Sequence, residues 1–491
     1  MLNASMAGPH PVTIRPLPPQ RFAALLGDAY PEVEDAIDRA GKLFAGRAVW
    51  HLNSTARGGG VVELLTSLLA YARGAGVDAR WIVIAGDEEF FRVTKRIHNH
   101  LHGVPGDGGE LGLSERSDYE RTLGTNAAAL ETTVRRGDVV FLHDPQTAGL
   151  VAPLKAAGAR VVWRCHVGVD RPNELVRRAW DFLRPYVEPA EAYVFSRPQF
   201  AWDGLDADRI WVVPPSIDAF SAKNQELDAP TVRAILQVAG LAADGPKPAP
   251  TFAREDGTPG RVDRAADVDQ DAPPPDDQHL ICQVSRWDRL KDPAGVLEGF
   301  AEHLDRGGSH LLLAGPEVAA VADDPEGAQV LEEMRSRRAA LPVPLRGRIH
   351  LACLPMADVE ENAAIVNAIQ RRADIVVQKS LAEGFGLTVA EAMWKKRPVV
   401  ATAVGGIQDQ IVDGESGILI DDPSNLAAFG SALRALLDDP PQRRRIGEAA
   451  RERIRREFLG TRQLIRYLGF LERLLAEPEA RRRAQSTPTG P

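Results

Sequence analysis

Ser380 to Trp394 reads SLAEGFGLTVAEAMW, with a Gly-Phe-Gly turn between the two carboxylates Glu383 and Glu391. A pair of this kind at a helix start either holds a polar ligand or serves the helix itself. Thr388 followed by Glu391 fits a helix-opening capping box, in which the two side chains satisfy orphan amides, and Glu383 would then be a solvated loop residue. Ser285–Asp292, SRWDRLKD, sets Arg286 and Lys291 on either side of a turn, where both cations can converge on one anionic group. The guanidinium forks two phosphate oxygens and the ammonium acts as a point charge. Asn53–Leu65, NSTARGGGVVELL, opens a helix through Gly58, Gly59 and Gly60, and such glycines let backbone amides approach an anion at a helix N-terminus. The spacing is neither the dinucleotide fingerprint nor a Walker loop, so a plain flexible turn is the structural alternative. FLHDPQ and WRCHVG end two apolar runs with His143, Asp144 and His166. Polar side chains at strand ends suit a binding cleft, and the alternative for each is a structural hydrogen bond. No spacing suggests a protein-bound metal.

The elements that must position these residues are legible as short apolar runs between helical patterns. AVWHLNS, RWIVIAG, DVVFLHD, RVVWRCH, AYVFS and RIWVVPP predict six buried strands between residues 48 and 215. Their nearly continuous apolarity is that of parallel strands covered on both faces. The cycle restarts with HLICQVS, HLLLAG, RIHLAC, ADIVVQ and RPVVAT. The expectation is an α/β protein of two doubly wound Rossmann-like domains facing a central cleft, with ligands at the C-terminal ends of the strands. The expected boundaries are 1–217 for the first domain and 218–457 for the second. An amphipathic helix and frayed tail, 458–491, would cross back to the first. Residues 244–278 hold seven prolines and nine acidic residues and few large apolar ones, which predicts a disordered insertion.

A chain of 491 residues exceeds a single core. Its 59 basic and 68 acidic side chains leave a net charge of -9, which gives no reason to expect nucleic acid or an anionic membrane as partner. The apolar runs are too short to span a bilayer. Three scattered cysteines, Cys165, Cys282 and Cys353, match no zinc or redox spacing, and together these features point to the cytoplasm.

Taken together, SRWDRLK, AEGFGLTVAEAMW and RPVVATAVGGIQDQIVDGESGILI resemble the retaining glycosyltransferases of the glycogen-synthase-like superfamily, whose fold is GT-B. More narrowly, HLNSTARGGGVVELL, DARWIVIAGDEEFFRVTKRIHNHLHG, FLHDPQ, WRCH and VVPPSID resemble the trehalose glycosyltransferring synthases. The resemblance spans about residues 48 to 475. It implies a transfer of glucose from a nucleoside-diphosphoglucose to glucose, giving α,α-trehalose, reversibly. Under it Glu391 would hold the donor ribose, and Arg286 and Lys291 the diphosphate. Gly384, Phe385, Gly386, Leu387 and Thr388 would meet the distal phosphate and sugar, and Glu383 the donor glucose. Gly59 and Gly60 would pack on the diphosphate, while Asp144 and His166, with Asn53, would face donor glucose and acceptor. No cofactor is required beyond the sugar nucleotide, with Mg²⁺ accompanying it as an option, and a homodimer is the family-level expectation. The nearest alternative is trehalose phosphorylase, with phosphate in place of the diphosphate. A more remote one is a non-catalytic sugar-nucleotide sensor, against which the intact acceptor-side set argues.

Overall fold

The computed structural model describes residues 8–56, 59–245, 249–304, 308–318 and 326–485. The chain divides into two compact units, Met1–Ser216 with Gly460–Pro491, and Ile217–Leu459. Phe458 and Leu459 stay with the second unit because the Ile217 amide donates to the Phe458 carbonyl at 2.9 Å and Ile217 bridges Leu459. The boundaries therefore fall one or two residues from those expected.

The first unit is built on a seven-stranded sheet: β1 (His10–Val12), β2 (Val49–Asn53), β3 (Ala79–Val83), β4 (Val139–His143), β5 (Arg160–Cys165), β6 (Ala192–Phe195) and β7 (Ile210–Val212). Their spatial order is β1-β3-β2-β4-β5-β6-β7. All neighbours are parallel except β1, an edge strand the sequence did not announce, which runs antiparallel to β3. Alternate residues of each strand enter opposite cores, which is why the runs look continuously apolar. Trp50, Leu52, Val140 and Leu142 pack on one side, and Val49, Val139 and Phe141 on the other. The second side is closed by the C-terminal helix Gly460–Gln485, whose Tyr467 and Phe470 rings meet Phe141 edge-on at 5.4 and 6.4 Å. The helix continues to Gln485, and the tail after it lies outside the described residues.

The second unit repeats the plan. After a small antiparallel pair, β8 (Thr251–Ala253) and β9 (Pro259–Arg261), come β10 (Asp267–Asp269), β11 (His279–Val284), β12 (Ser309–Pro316), β13 (Ile349–Leu354), β14 (Ile375–Gln378), β15 (Val399–Thr402) and β16 (Ile418–Ile420). Their order is β10-β13-β12-β11-β14-β15-β16. From β13 to β16 this is the strand order of a dinucleotide-binding Rossmann sheet, with β10 antiparallel on the β13 edge.

The disordered insertion expected over 244–278 is corrected for residues 249–278; residues 246–248 lie outside the described residues. What orders the segment is charge pairing and the β10 ladder, with Phe252 and Val262 as its few buried apolar anchors. Buried Glu361 accepts the amides of Asp263 and Arg264, at 2.7 and 2.8 Å, and the Arg264 guanidinium. Arg254 forks Asp358 and reaches Glu360 at 3.0 Å. Arg335 holds Asp267 and Asp269 on β10 at 2.9 and 2.8 Å. Two of the acidic residues that made the stretch look unfoldable, Asp267 and Asp269, dock it, together with its own Arg254 and Arg264. Among the described residues, no helix is long and apolar enough to cross a membrane.

Candidate active site

In an open α/β sheet the chain leaves for opposite sides at a topological switch point, and the strand-end loops there diverge to form a crevice. In the second unit that point lies between β11 and β14. The loop after β11 carries Arg286 and Lys291, and the loop after β14 carries Glu383. They meet: the Lys291 ammonium lies 2.6 Å from Glu383 Oε2, both side chains being largely covered. The Ser380 hydroxyl donates to the same oxygen at 3.3 Å. Arg286 is half-exposed and reaches Asp288 at 3.0 Å, so the two cations of the loop point to different carboxylates rather than converging. Behind them, fully covered Lys379 pairs with Asp292, which caps the helix Pro293–His303 through the Gly295 amide at 3.0 Å.

The Gly-Phe-Gly turn then delivers the helix Leu387–Trp394. Its N-cap is Gly386 at φ 81°, with no side chain capping it. Other helices here are capped by Asp or Asn, among them those after Asp87, Asn173, Asp228, Asp358 and Asn425. An uncapped helix start leaves amides aimed outward, a ready anion site. The capping box between Thr388 and Glu391 is thereby corrected, because the glycine turn moves the cap upstream and places both residues inside the helix. Glu391 is 3% exposed and lies 3.4 Å from the Lys223 ammonium. Phe385 is buried, and the Gln410 amide donates to its carbonyl and to that of Gly386. Gly405 lets the next loop approach so closely that a Cβ there would sit 1.7 Å from the Glu383 carbonyl.

In the first unit the switch point lies between β2 and β4. The helix Gly60–Gly74 opens on Gly59 at φ 81°, again with no side-chain cap; Arg57 and Gly58 lie outside the described residues. Asn53 is spent locally, since its carbonyl accepts the Trp81 indole at 2.8 Å and its amide donates to the Thr55 carbonyl at 2.6 Å. The histidines form a chain: His51 Nδ1 is 2.9 Å from His143 Nε2, and His143 Nδ1 is 3.0 Å from His166 Nε2. His51 and His143 are buried and His166 half-buried. Burial pushes the His51 pKa down to about 3. It drives His143 and His166 well below the ordinary range, aided by neighbouring positive charge from Arg164. All three rings are neutral at physiological pH.

Asp144 follows β4 at φ 63° and ψ -178°, a region that costs a residue with a side chain about 1–3 kcal/mol. Hydrogen bonds with β5 and the residue that follows it hold it there, besides the Thr147 amide and hydroxyl on its carbonyl, each at 3.4 Å. Its amide donates to the Arg164 carbonyl at 2.8 Å, its Oδ1 accepts the His166 amide at 2.7 Å, and its carbonyl accepts the Trp163 indole at 3.2 Å. Burial pushes its carboxyl up to about 6, against the lowering effects of the His166 amide and the Arg164 charge. Arg164, fully buried on β5, donates to the Phe195 carbonyl at 2.9 Å and the Ser196 hydroxyl at 3.2 Å.

Sequence reasoning thus found the loop residues and missed their supports: His51, Arg164, Lys223, the Lys379–Asp292 pair, Gly405 and Gln410. For His51 and Arg164 a signal existed, a polar residue breaking an otherwise apolar strand.

Residues 51–202 match the family described as trehalose synthase, N-terminal domain, and residues 266–453 match glycosyl transferases group 1. A trehalose synthase from Pyrococcus horikoshii is 35% identical over 456 residues, covering 92% of this chain and 95% of that protein. A trehalose phosphorylase from Pleurotus pulmonarius is more distant, 25% identical over 82% of this chain and 54% of its own length. Among solved structures, a UDP-forming α,α-trehalose-phosphate synthase from Burkholderia xenovorans, in complex with glucose-6-phosphate, matches with a TM-score of 0.63. At 15% identity it covers 88% of this chain and 100% of that one, a likeness of fold, which is GT-B. Two Rossmann-like sheets and 35% identity over nearly the full length of a trehalose synthase converge on one conclusion: the chain belongs to the trehalose synthase family and is a hexosyltransferase.

Proposed function

We propose that the protein transfers glucose from a nucleoside-diphosphoglucose to free glucose with retention at the anomeric carbon, yielding α,α-trehalose and nucleoside diphosphate. The observation that carries this reading is the 2.6 Å contact of Lys291 with Glu383 across the two switch-point loops, next to an uncapped helix start. A cation for a leaving diphosphate and a carboxylate for the glucosyl group are within reach of one ligand. In this reading Arg286, Lys291 and the amides of Gly384–Thr388 bind the diphosphate and sugar, and Glu391, steadied by Lys223, binds the ribose. In the first unit Gly59 and Gly60 offer amides to the diphosphate, and Asp144 and His166 hold sugar hydroxyls. Asn53, already engaged with Trp81 and Thr55, positions the loop instead of touching sugar.

The reaction follows from these charges. The glycosidic C–O bond to the phosphate breaks first, and the electron pair stays on the diphosphate, whose growing charge Arg286 and Lys291 stabilise. Glu383 faces the cationic glucosyl group. The acceptor hydroxyl attacks from the same face, and its proton passes to a phosphate oxygen. With no second carboxylate assigned as nucleophile, the double displacement of retaining glycosidases is not needed.

A panel of ADP-, UDP- and GDP-glucose with glucose tests the reading, with the product anomers followed by NMR. Formation of α,α-trehalose with release of nucleoside diphosphate is expected. Breakdown of trehalose that requires nucleoside diphosphate sustains the synthase reading. Breakdown supported by inorganic phosphate alone replaces it with the phosphorylase. Stoichiometric donor binding without turnover replaces it with the sensor.

A further inference from the structure

The second unit carries a cavity of about 530 Å³ that the reaction does not use, walled by six cations: Arg371, Lys395, Lys396, Arg397, Arg444 and Arg451. Only two carboxylates line it. Glu226 bridges Arg371 and Arg451, each at 2.8 Å, and Glu448 takes Lys396 at 2.9 Å. Six positive charges against two negative leave a formal excess of four within one pocket. Such an excess in a protein with a net charge of -9 is a local construction and does not follow from composition.

The walls are built, not merely decorated. Lys395 is 2% exposed, and its ammonium donates to the Asn224 amide oxygen at 3.0 Å, the Gln370 amide oxygen at 2.7 Å and the Glu391 carbonyl at 3.1 Å. Arg451 lies over the Trp394 ring at 4.3 Å. The Arg397 Nε is buried without a hydrogen-bond partner while one terminal nitrogen donates to the Ala373 carbonyl at 3.1 Å. Desolvation lowers the pKa of Arg397, so with its Nε unpartnered this cation is held at a cost that an incoming anion would offset; Arg371 is already spent on Glu226, Asn367 and the Asn224 and Gln225 carbonyls. Lys396 itself has φ 59°, one of three described non-glycine residues with positive φ; the others are Asp144 and Asp292, both at the switch-point sites. Lys396 is the left-handed residue ending the helix Leu387–Trp394, where the Lys396 and Arg397 amides donate to the Met393 and Ala392 carbonyls, each at 3.0 Å. Beside it the helix Pro440–Glu457 packs so closely that a Cβ on Gly447 would lie 2.2 Å from the Lys396 carbonyl.

We infer that this pocket is a second anion site, separate from the donor loops, for a small phosphorylated compound carrying two or more negative charges. A volume of about 530 Å³ admits a phosphate monoester or a diphosphate, and forked guanidinium donors suit phosphoryl oxygens. Inorganic diphosphate and a hexose monophosphate share that chemistry.

Equilibrium binding of inorganic phosphate, inorganic diphosphate and a hexose 6-phosphate to the full chain at physiological ionic strength tests the inference. Wild type, Lys291→Ala, Arg444→Glu and Lys396→Gly are compared. Arg444 is exposed and Lys396→Gly relieves the positive φ, so both variants keep their thermal transition. The expected result is that both weaken one class of site about tenfold or more, the effect of losing roughly one charge-assisted contact, while Lys291→Ala leaves that class intact. Tightest binding of the hexose ester points to a sugar phosphate as the natural occupant, and of diphosphate to the inorganic ion. The inference is overturned if Lys291→Ala removes all phosphate binding, or if Arg444→Glu and Lys396→Gly bind as wild type does. It is equally overturned if wild type binds none of the three anions. A failure here leaves the donor-site reading untouched, because that reading is scored by turnover.

Discussion

The two switch points answer the same topological problem with opposite electrostatics. In the second unit the strand-end loops bring a cation onto a carboxylate, Lys291 on Glu383 at 2.6 Å, with Lys379 on Asp292 behind. In the first, they bring together three uncharged imidazoles and a carboxyl pushed up to about 6. Each helix beside them starts on a glycine at φ 81° with no side-chain cap. The common part, backbone amides freed at a helix start, suits a phosphate. In the proposed reaction the divergent part would separate the tasks: paired charges would serve a ligand whose charge changes, and a buried neutral network one that stays uncharged.

The largest expected effect tests the charged half. Lys291→Ala removes one donor to the leaving group and should lower kcat about 100-fold or more, measured at saturating donor with the fold verified by thermal melting. Turnover near wild type would erase the distinction between the two switch points.

Backbone strain in the neutral half gives the next. Asp144→Ala keeps the unfavourable φ while losing the carboxylate, whereas Asp144→Gly loses both. The glycine variant should therefore be more stable than the alanine variant by about 1–3 kcal/mol, read from denaturant midpoints, with both variants impaired in turnover. Equal stability would mean that Asp144 relaxes and is not held.

Acid stability sharpens the same half. A histidine with a depressed folded pKa binds fewer protons folded than unfolded. Its stabilising share is whole above the unfolded value of 6.5 and is lost as pH falls toward about 3 for His51. Asp144 acts oppositely: with its carboxyl up from 3.8 to about 6, acidification through that window recovers stability. Three histidines outweigh one carboxyl, so unfolding free energy should drop between about pH 7 and 5, by about 1.4 kcal/mol per pH unit for each unbalanced proton. His143→Phe should make that slope shallower, as followed by chemical denaturation. A slope as steep as wild type would place the titration elsewhere.

The smallest effect belongs to Glu391. Glu391→Gln keeps a hydrogen-bonding shape and loses charge assistance, about 1 kcal/mol. The donor KM should rise about fivefold with kcat nearly unchanged, since ribose is held alike in ground and transition states. A selective fall in kcat would move Glu391 toward the reacting bond.

The eleven strands β2–β7 and β11–β15 were readable because both faces of each parallel sheet are buried and the apolar runs are unbroken. Five strands were not: β1, β8, β9, β10 and β16 are each three residues long, and β10 is held by Arg335 on its two aspartates, which composition reads as solvated charge. The loop residues of the site were legible because strand ends and glycine turns are local signals. Their supports, such as Lys223 beside Glu391 or His51 behind His143, join positions 168 and 92 residues apart, and no local pattern carries that.

The imidazole chain has one more consequence. Each neutral ring has one N–H and one lone pair, so the three rings have two proton arrangements in which every contact joins a donor to an acceptor. Either His51 Nδ1 and His143 Nδ1 both donate, which leaves His166 Nδ1 an N–H, or His166 Nε2 and His143 Nε2 both donate, which leaves His166 Nδ1 a bare lone pair. A single ring cannot switch alone without setting two hydrogens or two lone pairs face to face. Whether His166 Nδ1 is a donor or an acceptor, for a sugar hydroxyl in the proposed reading, is therefore decided jointly with His51, a residue buried inside the sheet, and the polarity at the end of the chain is stored in the core as a concerted tautomeric state.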